Sequence, residues 1–270
     1  MLKINGVSKT FHAGTVNEVH SLRNINLHLE PGSFTAVIGT NGSGKSTLLN
    51  AIAGVFTPDM GTIQLDQQDI TGWPEYRRAQ FIGRVFQDPF AGTAQDMTIA
   101  ENIAIAMKRG RHRGLGLAVN RSLREAVADR VRTLKMGLED RLDNPIGTLS
   151  GGQRQALTLL MATWAKPRLL LLDEHTAALD PKSAAKVAEL TREIIVSENL
   201  TAMMVTHSMQ QAVDLPDRIV MMHKGQIIED YQHERKQRAR VVDLMATFDR
   251  VQKRELLDES VADLLLEQYV

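Results

Sequence analysis

The chain has no cysteine among its 270 residues. That excludes disulfides, thiol nucleophiles and thiolate metal sites, and it is compatible with a reducing compartment. An excess of charge of one sign is also lacking, since 32 basic residues stand against 32 acidic ones. Nucleic-acid binders usually carry a basic excess or stripe, so this balance gives that function no support. No apolar run approaches the roughly 20 residues of a membrane helix; the longest, Ala156 to Ala165, falls far short. The first residues, Met1 to Gly6, lack the apolar core of a signal peptide. Neither an internal repeat nor a low-complexity segment is found. The expectation is a soluble chain whose link to a membrane would run through a partner. The length allows one large α/β domain with an inserted or appended subdomain.

What the chain does contain is led by residues 34–47. Thr35, Ala36, Val37 and Ile38 read as a buried strand. Gly39, Gly42 and Gly44 let the backbone turn so that successive N–H groups face one anion. Lys45 opens a helix whose N-terminus adds roughly half a positive charge at the same place. The run Gly39, Thr40, Asn41, Gly42, Ser43, Gly44, Lys45, Ser46, Thr47 fits the phosphate-binding loop, G-x-x-x-x-G-K-[ST], in its strand-to-helix setting. By itself the loop indicates a nucleoside triphosphate, not what becomes of it.

The remaining pattern alternates strands and helices. Residues 2–5 and 24–30 read as strands, punctuated by Pro31 and Gly32. Thr62 to Asp66 and Ile82 to Gln87 follow, the latter ended by Pro89. From about residue 95 to 162 helix formers dominate, with Leu123, Val127, Val131, Leu134 and Leu138 at helical spacing. Arg168 to Asp173 is a continuous apolar run, as in a strand covered on both faces. A helix over 181–198, a strand from Thr201 to His207, and a hairpin of Arg218 to Met222 with Gly225 to Glu229 come next. The last forty residues read as helices, with Val241, Val242, Leu244, Met245 and Phe248 on one apolar face and Leu257, Val261, Leu264 and Leu265 on another. Basic runs at Lys108 to Gly114 and Arg235 to Arg240 read first as solvated segments, with acidic lipid or a partner as the alternative.

Two further motifs carry chemistry. Asp173 and Glu174 end the Leu-rich strand, and ligand sites in open α/β sheets lie at the carboxyl ends of strands. An acidic pair there is usually a solvated strand end; behind a phosphate loop, it reads as catalytic. Asp173 and Ser46 are hard oxygen donors suited to Mg²⁺, and Glu174 is placed to polarise a water for in-line attack. The second motif runs from Leu149 to Gln155: Ser150, Gly151, Gly152 and Gln153 open an apolar-faced helix, as an ordinary cap or as a second anion site.

In this order and spacing, the three motifs resemble those of the ATP-binding-cassette (ABC) ATPases, over about residues 2–230. The resemblance implies an α/β P-loop NTPase (RecA-like) core with an N-terminal antiparallel β subdomain, an inserted α-helical subdomain and a C-terminal helical extension. The core would comprise 1–88 and 163–230, the inserted subdomain 89–162, and the extension 231–270. It implies ATP and Mg²⁺, and a homodimer packed head to tail in which Ser150, Gly151, Gly152 and Gln153 of one cassette meet the nucleotide held by the other. Gln87 resembles the glutamine contacting Mg²⁺ and the attacking water, His207 the histidine that bonds the γ-phosphate, and Asp180 an inter-subunit contact. Phe11 stands where an aromatic stacks on adenine, with core packing as the alternative. Three positions depart from the family pattern: Thr40 replaces a common proline, His175 follows the catalytic glutamate where proline is usual, and Ala177 stands where serine is frequent.

The resemblance further implies ATP hydrolysis that drives a separate multi-span permease, on the cytoplasmic face of the inner membrane and held there peripherally. Asp143 to Thr148 lacks the Glu-Arg-Gly element of many fused exporters, which leans towards import with a solute-binding protein. The expected cargo is a small organic, amino-acid-like solute, with no nucleic acid among the partners; the alternatives are an export cassette for lipids or peptides and a soluble, non-transport cassette acting in DNA repair or translation.

Overall fold

The computed structural model describes residues 1–110, 121–251 and 253. Part of the first basic run, and Leu257, Val261, Leu264 and Leu265, lie outside the described residues. In chain order the elements are β1 (Leu2–Phe11), β2 (Val19–Leu29), β3 (Phe34–Gly39), α1 (Lys45–Ala53), β4 (Met60–Leu65) and β5 (Gln68–Asp69). Then follow α2 (Glu75–Arg78), β6 (Ile82–Val85), α3 (Ile99–Met107), α4 (Arg121–Arg132), α5 (Gly151–Thr163) and β7 (Leu169–Asp173). The chain continues with α6 (Pro181–Ser197), β8 (Ala202–Val205), α7 (Met209–Asp214), β9 (Arg218–His223), β10 (Gln226–Tyr231) and α8 (His233–Gln237). Residues 241–251 are helical as well. None of the described helices is long and apolar enough to cross a membrane.

Two sheets result. The smaller is antiparallel, in the order β2-β1-β4-β5; the larger runs β10-β9-β3-β8-β7-β6, parallel except where β10 joins β9. The apolar run of β7 explains how the larger sheet is buried. Side chains alternate across a strand, so Leu169 and Leu171 enter one core and Leu170 and Leu172 the other. The same split places Val37 opposite Ala36 and Ile38, and Met203 opposite Met204. One core joins this face to α1 and the small sheet through Leu2, Ile4, Leu48, Ile52 and Ile63. The other joins the opposite face to the helices through Ile103, Val127, Leu157 and Leu190.

The helix α1 is held at its far end by an arginine from outside it. Arg78 is 1% exposed. Its guanidinium donates to the carbonyls of Ala51 (2.8 Å), Ile52 (2.9 Å), Thr71 (2.8 Å) and Trp73 (2.9 Å). Ala51 and Ile52 lie in the last turn of α1, where carbonyls have no partner within the helix. Burial pushes Arg78 down to about 10, against the pull of Asp69.

Several elements differ from the sequence reading. Strands β1 and β2 are longer than 2–5 and 24–30, because register shifts after Ile4 and Val7 interrupt the alternation that marks a strand. Strand β6 stops at Val85, so Gln87 lies two residues beyond it. Leu134 and Leu138 are buried but follow α4 rather than continue it, because Lys135 and Gly137 adopt left-handed backbone. At the C-terminal end Leu244 and Phe248 enter the core, and the Tyr231 and Thr247 hydroxyls pair at 3.0 Å, whereas Val242 and Met245 face solvent. In the second basic run Arg235 pairs with Glu229 at 2.7 Å and Arg238 with Glu234 at 3.4 Å, as a solvated face would.

Candidate active site

The parallel strands β3, β8, β7 and β6 end at one edge of the larger sheet, in the registers Val37 with Val205, Asp173 with Val205, and Val85 with Leu172. That edge gathers the loop Gly39–Thr47, the pair Asp173 and Glu174, His207 and Gln87. The loop turns into α1 at Gly44, whose φ of 96° is left-handed. A β-carbon there would lie 2.4 Å from the Ser21 carbonyl, so only glycine fits. Gly44 at the N-cap has no side chain to bond the first N–H groups of α1, which are left for an anion. Lys45 is buried, and its ammonium donates to the carbonyls of Gly39 and Thr40, each at 2.9 Å. Burial lowers the Lys45 pKa, while the carboxylates of Glu174 and Asp173 act in the opposite sense. The Ser43 carbonyl accepts from the Gly225 N–H at 3.0 Å, and the Thr47 and Ser21 hydroxyls meet at 2.7 Å. Asn41, Gly42 and Ser46 are exposed.

Glu174 and His207 are in direct contact. His207 Nε2 lies 2.6 Å from Glu174 Oε1, with the glutamate side chain 11% and the histidine 45% exposed. Glu174 N–H donates to the Val205 carbonyl at 2.9 Å, and its φ is 45°. Asp173 Oδ2 lies 3.2 Å from Arg84 Nη2, which also donates to Asn50 Oδ1 on α1 at 2.7 Å. Arg84 was not singled out from the sequence; its signal is a lone cation within the apolar strand β6. The Ser46 hydroxyl, the Asp173 carboxylate and the Gln87 amide oxygen are hard donors that fit Mg²⁺. Among the described residues no three His, Cys, Asp or Glu converge as a cage.

Ser150–Gln153 stand at the start of α5. Ser150 caps that helix: its Oγ accepts from Gln153 N–H at 3.3 Å, and Gln153 Oε1 accepts from Ser150 N–H at 3.2 Å. Their neighbours belong to α6 and the residues leading into it. A β-carbon on Gly151 would lie 3.3 Å from Leu179, and one on Gly152 would lie 2.8 Å from Ser183. Asp180 caps α6 by accepting from Ser183 N–H at 3.1 Å. Two contacts that sequence reading missed tie α5 to the Gln87 segment. Gln155 Nε2 donates to the Phe86 carbonyl at 3.1 Å, and the Arg154 guanidinium stacks 3.6 Å over the Phe90 ring. Phe11 lies at the end of β1, edge-on to Phe56 with ring centroids 5.4 Å apart.

Comparison with known proteins bears on the fold and the family. The chain matches the ABC transporter family over residues 22–177. It is 40% identical to a tyrosine transport ATP-binding protein of Clostridioides difficile, over 92% of this chain and 99% of that one. It is 33% identical to a methionine import ATP-binding protein of Bacillus thuringiensis, over 85% of this chain and 66% of that one. A phosphate import ATP-binding protein of Aeropyrum pernix is 36% identical, over 79% of this chain and 85% of its own length. Among solved structures, a dimeric ATP-binding cassette in a post-hydrolysis state with ADP and Pi matches with a TM-score of 0.73 at 27% identity, over 86% of this chain and 98% of that one. The family match over residues 22–177 and the 40% identity along 99% of a relative show that the chain belongs to the ABC transporter family as its ATP-binding, ATP-hydrolysing subunit.

Proposed function

We propose that two copies of this cassette close head to tail on ATP and drive a separate permease for uptake of a small, amino-acid-like solute. The observation carrying the dimer is the division of the site within one chain. The phosphate loop, Asp173, Glu174 and His207 share one sheet edge, whereas Ser150–Gln153 start α5 beside Asp180. One chain thus offers two half-sites, and each nucleotide would be completed by the partner's Ser150, Gly151, Gly152 and Gln153, with Asp180 at the subunit boundary. The family resemblance of the motifs supports the same arrangement.

Within the half-site, the Gly39–Thr47 backbone and Lys45 hold phosphate charge, and Lys45 exchanges its two loop carbonyls for phosphate oxygens. Glu174 orients and deprotonates the attacking water, and His207 moves from Glu174 to the γ-phosphate. Ser46, Asp173 and Gln87 would hold Mg²⁺, which would neutralise phosphate charge. Phe11 flanks adenine. The division into a core of 1–88 and 163–230, a helical subdomain of 89–162 and an extension of 231–270 belongs to the same reading. The helical subdomain and the Gln87 segment, joined through Gln155 and Arg154, receive the permease, which holds the cassette peripherally on the cytoplasmic membrane face. The relative named for tyrosine transport supports an amino-acid cargo, delivered by a solute-binding protein.

Gel filtration and uptake test this. Glu174→Gln should bind ATP, stop turnover and elute as a dimer only with ATP; a monomer under those conditions overturns the sandwich. Deleting the gene in its host should lower uptake of labelled tyrosine, restored by the wild-type chain and not by Glu174→Gln. Uptake unchanged by the deletion overturns that cargo.

A further inference from the structure

Three consecutive residues after β7 each hold a different element. Glu174 meets His207 beyond β8. Thr176 donates its hydroxyl to Gln211 Oε1 on α7, at 3.1 Å. Between them His175 turns inward, is 1% exposed, and places Nε2 2.9 Å from the Thr191 hydroxyl on α6. Thr191 donates its single hydroxyl proton back to the Val187 carbonyl at 2.7 Å. Its oxygen lone pairs are what remain for His175, so Nε2 carries the imidazole proton. Burial disfavours a charged ring at His175.

This anchor lies directly behind a strained residue. Glu174 has a left-handed backbone, which a residue with a β-carbon keeps only where its surroundings hold it. On the sheet side its N–H is held by Val205, and its carbonyl accepts from Ala177 N–H, each at 2.9 Å. On the helix side the holding group is His175. We propose that His175, through its hydrogen bond to Thr191, is a positioning residue that fixes the Glu174 carboxylate and ties it to α6. That helix is capped by Asp180 and abuts Gly152 through Ser183, so the base and the neighbourhood of the second half-site share one rigid link. The proposal rests on the reading of Glu174 as the base.

Thr191→Val tests it from a distance, since it removes the acceptor, keeps the side-chain shape and leaves the turn after β7 untouched. The full chain should lose kcat by about 10- to 100-fold, with KM for ATP within about twofold of wild type. Thr191→Ser should restore kcat. His175→Ala should match Thr191→Val, and the double variant should be no worse than His175→Ala, because both break one bond. Where His175→Ala does not fold, the Thr191 pair decides. Wild-type turnover in Thr191→Val overturns the proposal, as does a loss that follows thermal stability and that Thr191→Ser does not recover. Glu174→Gln, assayed in parallel, separates the two claims. Continued hydrolysis there removes the base and the proposal together, whereas an inactive Glu174→Gln beside a normal Thr191→Val removes only the role of His175.

Discussion

Replacing Arg78 by Met should loosen the phosphate-loop helix from its far end. The guanidinium satisfies four backbone carbonyls, two in the last turn of α1, one at Thr71 and one at Trp73. Methionine retains much of the aliphatic stem, so the change is largely in hydrogen bonding. A carbonyl left dry costs about 1–2 kcal/mol, and four of them about 4–8 kcal/mol. Relief from burying a cation, the cause of the lowered Arg78 pKa, offsets part of this. The net expectation is a loss of about 3–5 kcal/mol, or roughly 5–9 °C in Tm for a chain of this size. Arg78→Lys should recover little, since one ammonium cannot reproduce the planar fork. Urea and thermal denaturation read the stability, and nucleotide titration reads the loop, whose affinity should fall with it. A loss below about 1 kcal/mol, or full recovery by lysine, would refute the view that Arg78 caps α1.

Other perturbations follow from the same structure. Gly152→Ala places a β-carbon 2.8 Å from Ser183. Separating the starts of α5 and α6 should cost about 1–3 kcal/mol and depress ATPase activity, and adding Ser183→Gly should return part of both; no recovery would locate the defect elsewhere. Leu244→Ala empties a fully buried position, so a loss of about 2–4 kcal/mol in denaturant melts is expected. A melt equal to wild type would mean that residues 241–251 do not pack as described. Chelation with EDTA should abolish hydrolysis, and Ser46→Ala should raise the Mg²⁺ concentration needed to restore it; an unchanged requirement would remove Ser46 from the ligand set.

Much of the site was legible because its parts are local. The loop Gly39–Thr47 needs glycines and a lysine at fixed spacing between a strand and a helix, and those constraints act within nine residues. The run ending in Asp173 and Glu174 was legible because a strand buried on both faces must be apolar throughout, up to the point where it reaches solvent. Strand β1 and the end of α4 were less so, since register shifts and left-handed residues break the periodicities on which such reading depends.

What the sequence determined by itself is the chemical inventory: a phosphate loop, an acidic strand end, a serine-glycine helix start, and a histidine where the turn after β7 commonly has proline. Which of these meet was decided only by the tertiary structure, because side-chain contacts between elements far apart in the chain depend on strand order and register. Parallel pairing of β3, β8 and β7 brings Glu174 to His207, and the packing of α6 under the turn gives His175 its partner in Thr191. Arg84 and Arg78, unremarkable as letters, are assigned by the same means. Each is a long cation whose stem reaches across elements to oxygens that the chain order does not reveal.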